Sequence, residues 1–162
     1  MKKTNAARIL DRAKIEYEII DYDVDPIELG AARVAEKTGQ NIRFVYKTLV
    51  LSGDKTGLIL ACIPGASELD LKAFANLSGN KKCAMVPMKD ILELTGYVRG
   101  GCSPLGMKKD FPLFIDDSAF ELDHILISAG LRGKQLKVTP QDIQKVTSAA
   151  TGAISTPKSQ LA

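Results

Sequence analysis

The chain has 162 residues, 45% of them hydrophobic and 25% charged, with a formal net charge of +3. This length and balance fit one globular domain, whose core must be aliphatic because Trp is absent and aromatics make up only 6%. The one His, His124, and the scattered Cys62, Cys83 and Cys102 leave little material for a conventional triad, a Cys-His dyad, a multi-His metal site or a disulfide framework.

Thr4 before Ala6, Ala7, Ile9, Leu10 and Ala13 predicts a capped amphipathic helix. Ile15 to Ile20 reads as a strand, broken by acidic Asp21 to Pro26. Ala31 to Lys37 is helical and stops at Gly39. Phe44 to Leu51 and Leu58 to Ile63 are strands, joined as a hairpin through Ser52–Gly57. A loop at Pro64–Ser67 leads to a helix over Leu69–Leu77, and Lys82–Val86 forms a short strand. Pro87 to Leu94 looks helical, with Pro in its first turn. Thr95 to Gly106, TGYVRGGCSPLG, holds too much Gly and Pro for a regular element. Short strands follow at Leu113–Ile115, Ile125–Ser128 and Leu136–Val138, then a helix opened by Thr139-Pro140. Residues 1–150 form the domain, and 151–162, rich in Gly, Ser, Pro and Lys, read as a frayed tail. Strands and helices alternate irregularly, so the fold class is a mixed α/β or α+β single domain.

No apolar run approaches the length of a membrane span. The N-terminus has no apolar stretch of a secretory signal, and three scattered cysteines fit a reducing cytoplasm. Lys47 stands out because it interrupts a strand of Val, Tyr, Thr and Leu. Alternation puts it on a face with Val45 and Leu49, and puts Tyr46, Thr48 and Val50 on the other. It is either an edge-strand charge or a charge pointed into a pocket. Gly100-Gly101-Cys102-Ser103-Pro104 permits close backbone approach to a ligand, or simply a tight turn. It fits neither the P-loop nor the dinucleotide fingerprint. Lys81, Lys82, Arg99, Lys108, Lys109, Arg132, Lys134 and Lys137 could contact phosphates or form a solvated surface. Asp116-Asp117 reads as a strand-end turn, His124 as structural rather than catalytic, and Cys102 either as a reactive thiol or, as is commoner, as a small residue that fits.

Four segments together are more specific: VYKTLV at 45–50, LDLKAFA at 69–75, TGYVRGGCSPLGMKK at 95–109 and SAGLRG at 128–133. In these the chain resembles the YbaK family, aminoacyl-tRNA deacylases related to the editing domain of bacterial prolyl-tRNA synthetases. The resemblance runs from the first helix to about Val146. It implies a mixed, partly barrel-like sheet flanked by helices. It also implies hydrolysis of mischarged cysteinyl-tRNA(Pro), or cysteinyl-tRNA(Cys), in the cytoplasm. The implied partners are the aminoacylated tRNA end and prolyl-tRNA synthetase, with no DNA, membrane, metal or cofactor. Cysteine and proline are too close in size for one pocket to separate cleanly, so editing in trans would supply the missing discrimination.

Carried over position by position, the resemblance makes Lys47 the essential lysine and Tyr22 an active-site tyrosine. Gly100 would face the aminoacyl group through its backbone, with Gly101 beside it, and Thr48 and Ser128 would line the pocket. Arg132 matches the arginine of the GxRG turn, and Gln135 stands where some members carry Asp. The family's chemistry lets the substrate thiol attack its own ester, so no enzyme nucleophile is required. Two alternatives are deacylation of another amino acid, such as alanine, and a noncatalytic module that binds tRNA or a synthetase.

Overall fold

The structure is a computed structural model and describes residues 3–24, 30–98 and 100–157. Expectations about Asp25, Pro26, Arg99 and the tail from 158 lie outside the described residues. Helix α1 (Asn5–Arg12) starts where Thr4 Oγ1 accepts the Ala7 N–H at 3.2 Å. Its Ala6, Ala7 and Leu10 are fully buried. Strand β1 (Glu18–Asp21) begins later than the pattern of Ile15–Ile20 predicts. Helix α2 (Ala31–Thr38) ends at Gly39, whose φ of 70° supplies the left-handed cap.

Strands β2 (Tyr46–Gly53) and β3 (Gly57–Pro64) form the predicted hairpin, with Lys47 opposite Ile63 and Thr48 opposite Cys62. They are the centre of a five-stranded sheet completed by β5 (Cys83–Met85), β6 (Leu113–Asp116) and β9 (Ala150–Gly152), in the order β5-β2-β3-β6-β9. A three-stranded sheet has the order β1-β8-β7, with β7 (Ile125–Ser128) and β8 (Lys134–Val138) a tight antiparallel pair. The two sheets meet where Val45 bridges Leu126 in parallel.

Two expectations change here. Among the described residues the sheets do not close into a barrel; they are joined at that one bridge. The chain beyond Thr151 is not frayed as far as Pro157. β9 runs parallel to β6, and β10 (Ser155–Pro157) pairs with β4 (Ser67–Leu69). The anchor is Ile154, 1% exposed, whose N–H donates to Asp116 Oδ1 at 2.9 Å. β4 itself occupies part of the stretch read as a loop.

Helix α3 (Leu71–Ser78), capped by Asp70, seats Phe74 on one face of the five-stranded sheet against Leu51, Ile59, Ala61 and Ile63. The opposite face, with Tyr46, Val50, Leu60, Cys62 and Ile115, joins the main core under α1 and α5 (Pro140–Thr147). Thr139 precedes α5 but does not cap its backbone; its hydroxyl donates to Asp142 Oδ2 at 2.7 Å. The predicted helix near Pro87 is a short turn at Met88–Asp90 followed by α4 (Ile91–Thr95).

Candidate active site

Lys47 lies at a gap between two apolar clusters on one face of the molecule. Before it on that face, Val45 packs with Leu126, Val34 and Ala35 under α2. After it, Leu49 and Leu51 pack with Phe74 under α3. The half-buried ammonium donates to the Gly65 carbonyl at 3.2 Å. β3 pairs with β2 at Lys47, whereas β5 covers β2 only at Leu51–Gly53; on that other side the nearest pairing to Lys47 is the Val45–Leu126 bridge to β7. Gly65 is pressed close: a Cβ there would stand 2.3 Å from the Ala31 Cβ at the start of α2, and its N–H donates to the Val45 carbonyl at 2.7 Å.

Ser128 reaches the same face by alternation. Ile125 and Ile127 of β7 enter the main core, so Leu126 and Ser128 point the other way. From the Val45–Leu126 bridge, two residues on along each parallel strand are Lys47 and Ser128. Ser128 is buried and accepts the Gly130 N–H at 3.0 Å. Gln135 is its cross-strand partner, also buried, and pairs with Ile20 on the other side. A neutral amide thus occupies the place beside Ser128.

The β7–β8 turn holds the remaining pieces together. The Gly133 carbonyl accepts the Tyr22 N–H at 2.9 Å, and the Tyr22 side chain packs on the α2 cluster. The Gly101 Cα faces Arg132 so closely that a Cβ would lie 3.4 Å from the Arg132 nitrogen. Gly100 has φ 81°, a conformation that glycine adopts without strain. The Gly101 N–H is committed to the Val98 carbonyl at 2.9 Å. Val98 and Leu131 stay exposed beside this contact.

Thr48 is not brought to this face. Its side chain lies across the strand from Lys47, beside the buried Cys62 thiol, which burial pushes up to about 12 and which a Thr48 hydrogen bond partly offsets. Burial also raises the Cys102 thiol. Neither cysteine has the electropositive, open surroundings of a nucleophile. His124 stacks on Phe44 at 4.4 Å, and its Nδ1 lies 2.7 Å from Asp123 Oδ1, a structural placement.

Much of the basic set is engaged locally: Lys134 with Asp21 at 2.6 Å, Lys137 with Glu18 at 4.0 Å, and Lys108 with the Glu93 carbonyl at 3.1 Å. That favours a solvated surface over a dense phosphate track. No helix among the described residues is long and apolar enough to cross a membrane.

A half-buried cation, Lys47, and a buried serine, Ser128, thus share one face of the mixed sheet beside a glycine turn. The chain belongs to the aminoacyl-tRNA editing family, whose domain model matches residues 28–146, and is an aminoacyl-tRNA deacylase. It is 43% identical, over 96% of its length and 94% of the relative's, to the candidate Cys-tRNA(Pro)/Cys-tRNA(Cys) deacylase EbsC of Enterococcus faecalis. Its fold is that of the crystal structure of the hypothetical protein APE2540, with a TM-score of 0.86 and 19% identity over 94% of this chain and 99% of the other. It is likewise that of a candidate trans-editing enzyme for prolyl-tRNA synthetase, with a TM-score of 0.81 and 21% identity over 96% of this chain and 99% of the other.

Proposed function

We propose that the substrate is cysteinyl-tRNA(Pro), with cysteinyl-tRNA(Cys) as a second substrate, and that cysteine itself supplies the nucleophile. The observation that carries this reading is the Lys47 ammonium at the gap between two apolar clusters, on the face that also holds Ser128. The 43% identity to a relative named for that substrate supports the choice of amino acid.

In this reading the substrate sulfur attacks its own ester carbonyl. A C–S bond forms, the bond from the carbonyl carbon to the ribose oxygen breaks, and the thiol proton ends on the ribose hydroxyl. The product is a strained cyclic thioester that water opens to free cysteine. Lys47 stabilises negative charge on the carbonyl or the departing ribose oxygen, where a preplaced cation is most effective. The Gly100 N–H points at the carbonyl oxygen, and Tyr22, Ser128 and Arg132 hold the amino acid and terminal adenosine. Prolyl-tRNA synthetase in the cytoplasm is the partner that selects the tRNA, in keeping with the sparse free positive charge.

The test is deacylation of cysteinyl-, alanyl- and seryl-tRNA(Pro), with and without prolyl-tRNA synthetase. Cysteine-selective hydrolysis accelerated by the synthetase is expected. Equal hydrolysis of the alanyl ester, which has no thiol, would overturn the substrate-assisted route. Tight binding without turnover would overturn the enzyme.

A further inference from the structure

Tyr97 is buried, 8% exposed, yet lies in the segment with the highest density of Gly and Pro. Two separate pieces of chain close on it. Its hydroxyl donates to the Leu105 carbonyl at 2.6 Å. Its ring edge lies against Gly130, where a Cβ would come within 2.9 Å of Cε1. Its hydroxyl also lies against Gly106, where a Cβ would come within 2.7 Å of it and within 3.0 and 3.1 Å of Asn5 and Ala6 of α1. Both glycines have positive φ, 102° at Gly130 and 75° at Gly106, so each is required twice, for its conformation and for the space the tyrosine takes.

The base of the side chain is fixed as well. The Tyr97 N–H donates to Thr95 Oγ1 at 3.0 Å, and that hydroxyl donates to the Ile91 carbonyl at 2.7 Å in the last turn of α4. The Tyr97 backbone is therefore tied to a helix end while its ring and hydroxyl lie against two loops. One is the turn of Ser128, Gly130 and Arg132; the other runs from Gly100 to Gly106. These loops carry the proposed site residues; the turn is held by its own pairing of Ser128 with Gln135, but among the described residues no ladder joins one loop to the other.

We infer that Tyr97 is a positioning residue for the deacylation reaction, a strut that sets the distance between the Gly100–Gly106 loop and the Ser128–Arg132 turn. The inference rests on the proposed site, in which Gly100 and Ser128 hold opposite ends of the aminoacyl ester. A strut of this kind acts on the geometry of the reacting complex, where about 1 Å of misplacement costs on the order of 10²-fold in rate. It does not touch substrate, so it leaves the affinity for the tRNA largely alone.

The experiment compares Tyr97→Phe, which keeps the ring on Gly130 and loses the donation to Leu105, with Tyr97→Leu, which loses both. Single-turnover deacylation of cysteinyl-tRNA(Pro) gives rate and KM, and amide hydrogen exchange reads residues 100–106 and 128–133 in the same proteins. Expected are a rate loss of roughly tenfold in Tyr97→Phe and about a hundredfold in Tyr97→Leu. KM should stay within about twofold in both. Exchange should rise in both loops together, more in the leucine variant. A wild-type rate in a folded Tyr97→Leu protein, or faster exchange in one loop only, would overturn the strut. Lys47→Ala is run alongside: full activity there strikes the site assignment instead, while the exchange result still decides whether Tyr97 couples the two loops.

Discussion

The Lys47 ammonium donates to the Gly65 carbonyl at 3.2 Å, from the second residue of β2 to the residue that follows β3. The contact fixes a cation at a gap between two apolar clusters rather than leaving it in water. Lys47→Ala should lower deacylation by about 10²-fold or more, the usual scale for one preplaced charge-stabilising group. Lys47→Arg should not restore the rate, because the longer planar guanidinium cannot sit as the compact ammonium does. Gly65→Ala tests the same relationship from the other side. A Cβ 2.3 Å from that of Ala31 must push α2 or the turn aside, at about 1–3 kcal/mol. A lower melting temperature together with a lower rate is expected; a lower melting temperature with an unchanged rate would uncouple Gly65 from Lys47.

Asp116 is buried and its two carboxylate oxygens are divided between two jobs. Oδ1 accepts the Ile154 N–H at 2.9 Å, and Oδ2 accepts the Ser118 N–H and hydroxyl. The Ser118 hydroxyl in turn lies 2.7 Å from the Tyr46 hydroxyl, next to Lys47 in sequence. Asp116→Ala strands three donors and should cost about 2–4 kcal/mol in urea unfolding, with Asp116→Asn intermediate. The loss should fall first on β9 and β10, seen as rapid amide exchange at Ile154. Uniform exchange across the sheet in the variant would show that Asp116 does not hold the C-terminal strands in particular.

Some of this was legible from residues alone. Lys47 could be singled out because its charge breaks an alternating strand, and the Ser52–Gly57 hairpin carries its own turn chemistry. Thr4 behaves as the expected local cap because capping needs only neighbours in sequence, whereas Asp70, read inside a helix from Leu69, turns out to cap it. What stayed hidden depends on distant partners. Residues 151–157 look like a tail because Ile154 is the one large apolar residue among Gly, Ala, Ser, Thr and Pro, and its partner Asp116 lies 38 positions away. Tyr97 sits in a stretch that composition marks as loop, and only the approach of Gly106 and Gly130 reveals its place. The choice for Lys47 between an edge and a pocket turned on where β5 and β7 lie along β2, which no local pattern encodes.

The thiols give a chemical prediction. Cys62 is fully buried with its thiol pushed up to about 12, and burial raises Cys102 as well. Both are protonated at pH 7, so neither presents a thiolate to an electrophile. Native protein treated with a disulfide reagent should leave Cys62 unmodified until the chain is unfolded, with Cys102 slow. Cys102→Ala should keep at least half of the deacylase rate, since the nucleophile belongs to the substrate. Rapid labelling of Cys102 with parallel loss of activity would assign that thiol a direct part in the reaction.

Alkaline stability follows from the tyrosines. Burial pushes the phenols of Tyr46 and Tyr97 up to about 12, against about 10 in the unfolded chain. A group whose folded value is raised stays protonated longer in the folded state. Its contribution is therefore complete below pH 10 and is lost as pH climbs from 10 to 12, where the unfolded chain releases protons that the folded one retains. Unfolding free energy measured in urea should be flat in this respect up to pH 10 and then fall. With no Trp in the chain, phenolate absorbance near 295 nm reads the ionisation directly. Tyr46 and Tyr97 should ionise only as the circular dichroism signal collapses. Tyr46→Phe removes one of these groups, so it should flatten the fall between pH 10 and 12 while lowering stability at pH 7 through the lost contact with Ser118. Phenolate signal from all four tyrosines near pH 10 in a still-folded protein would show that the rings are not buried as described.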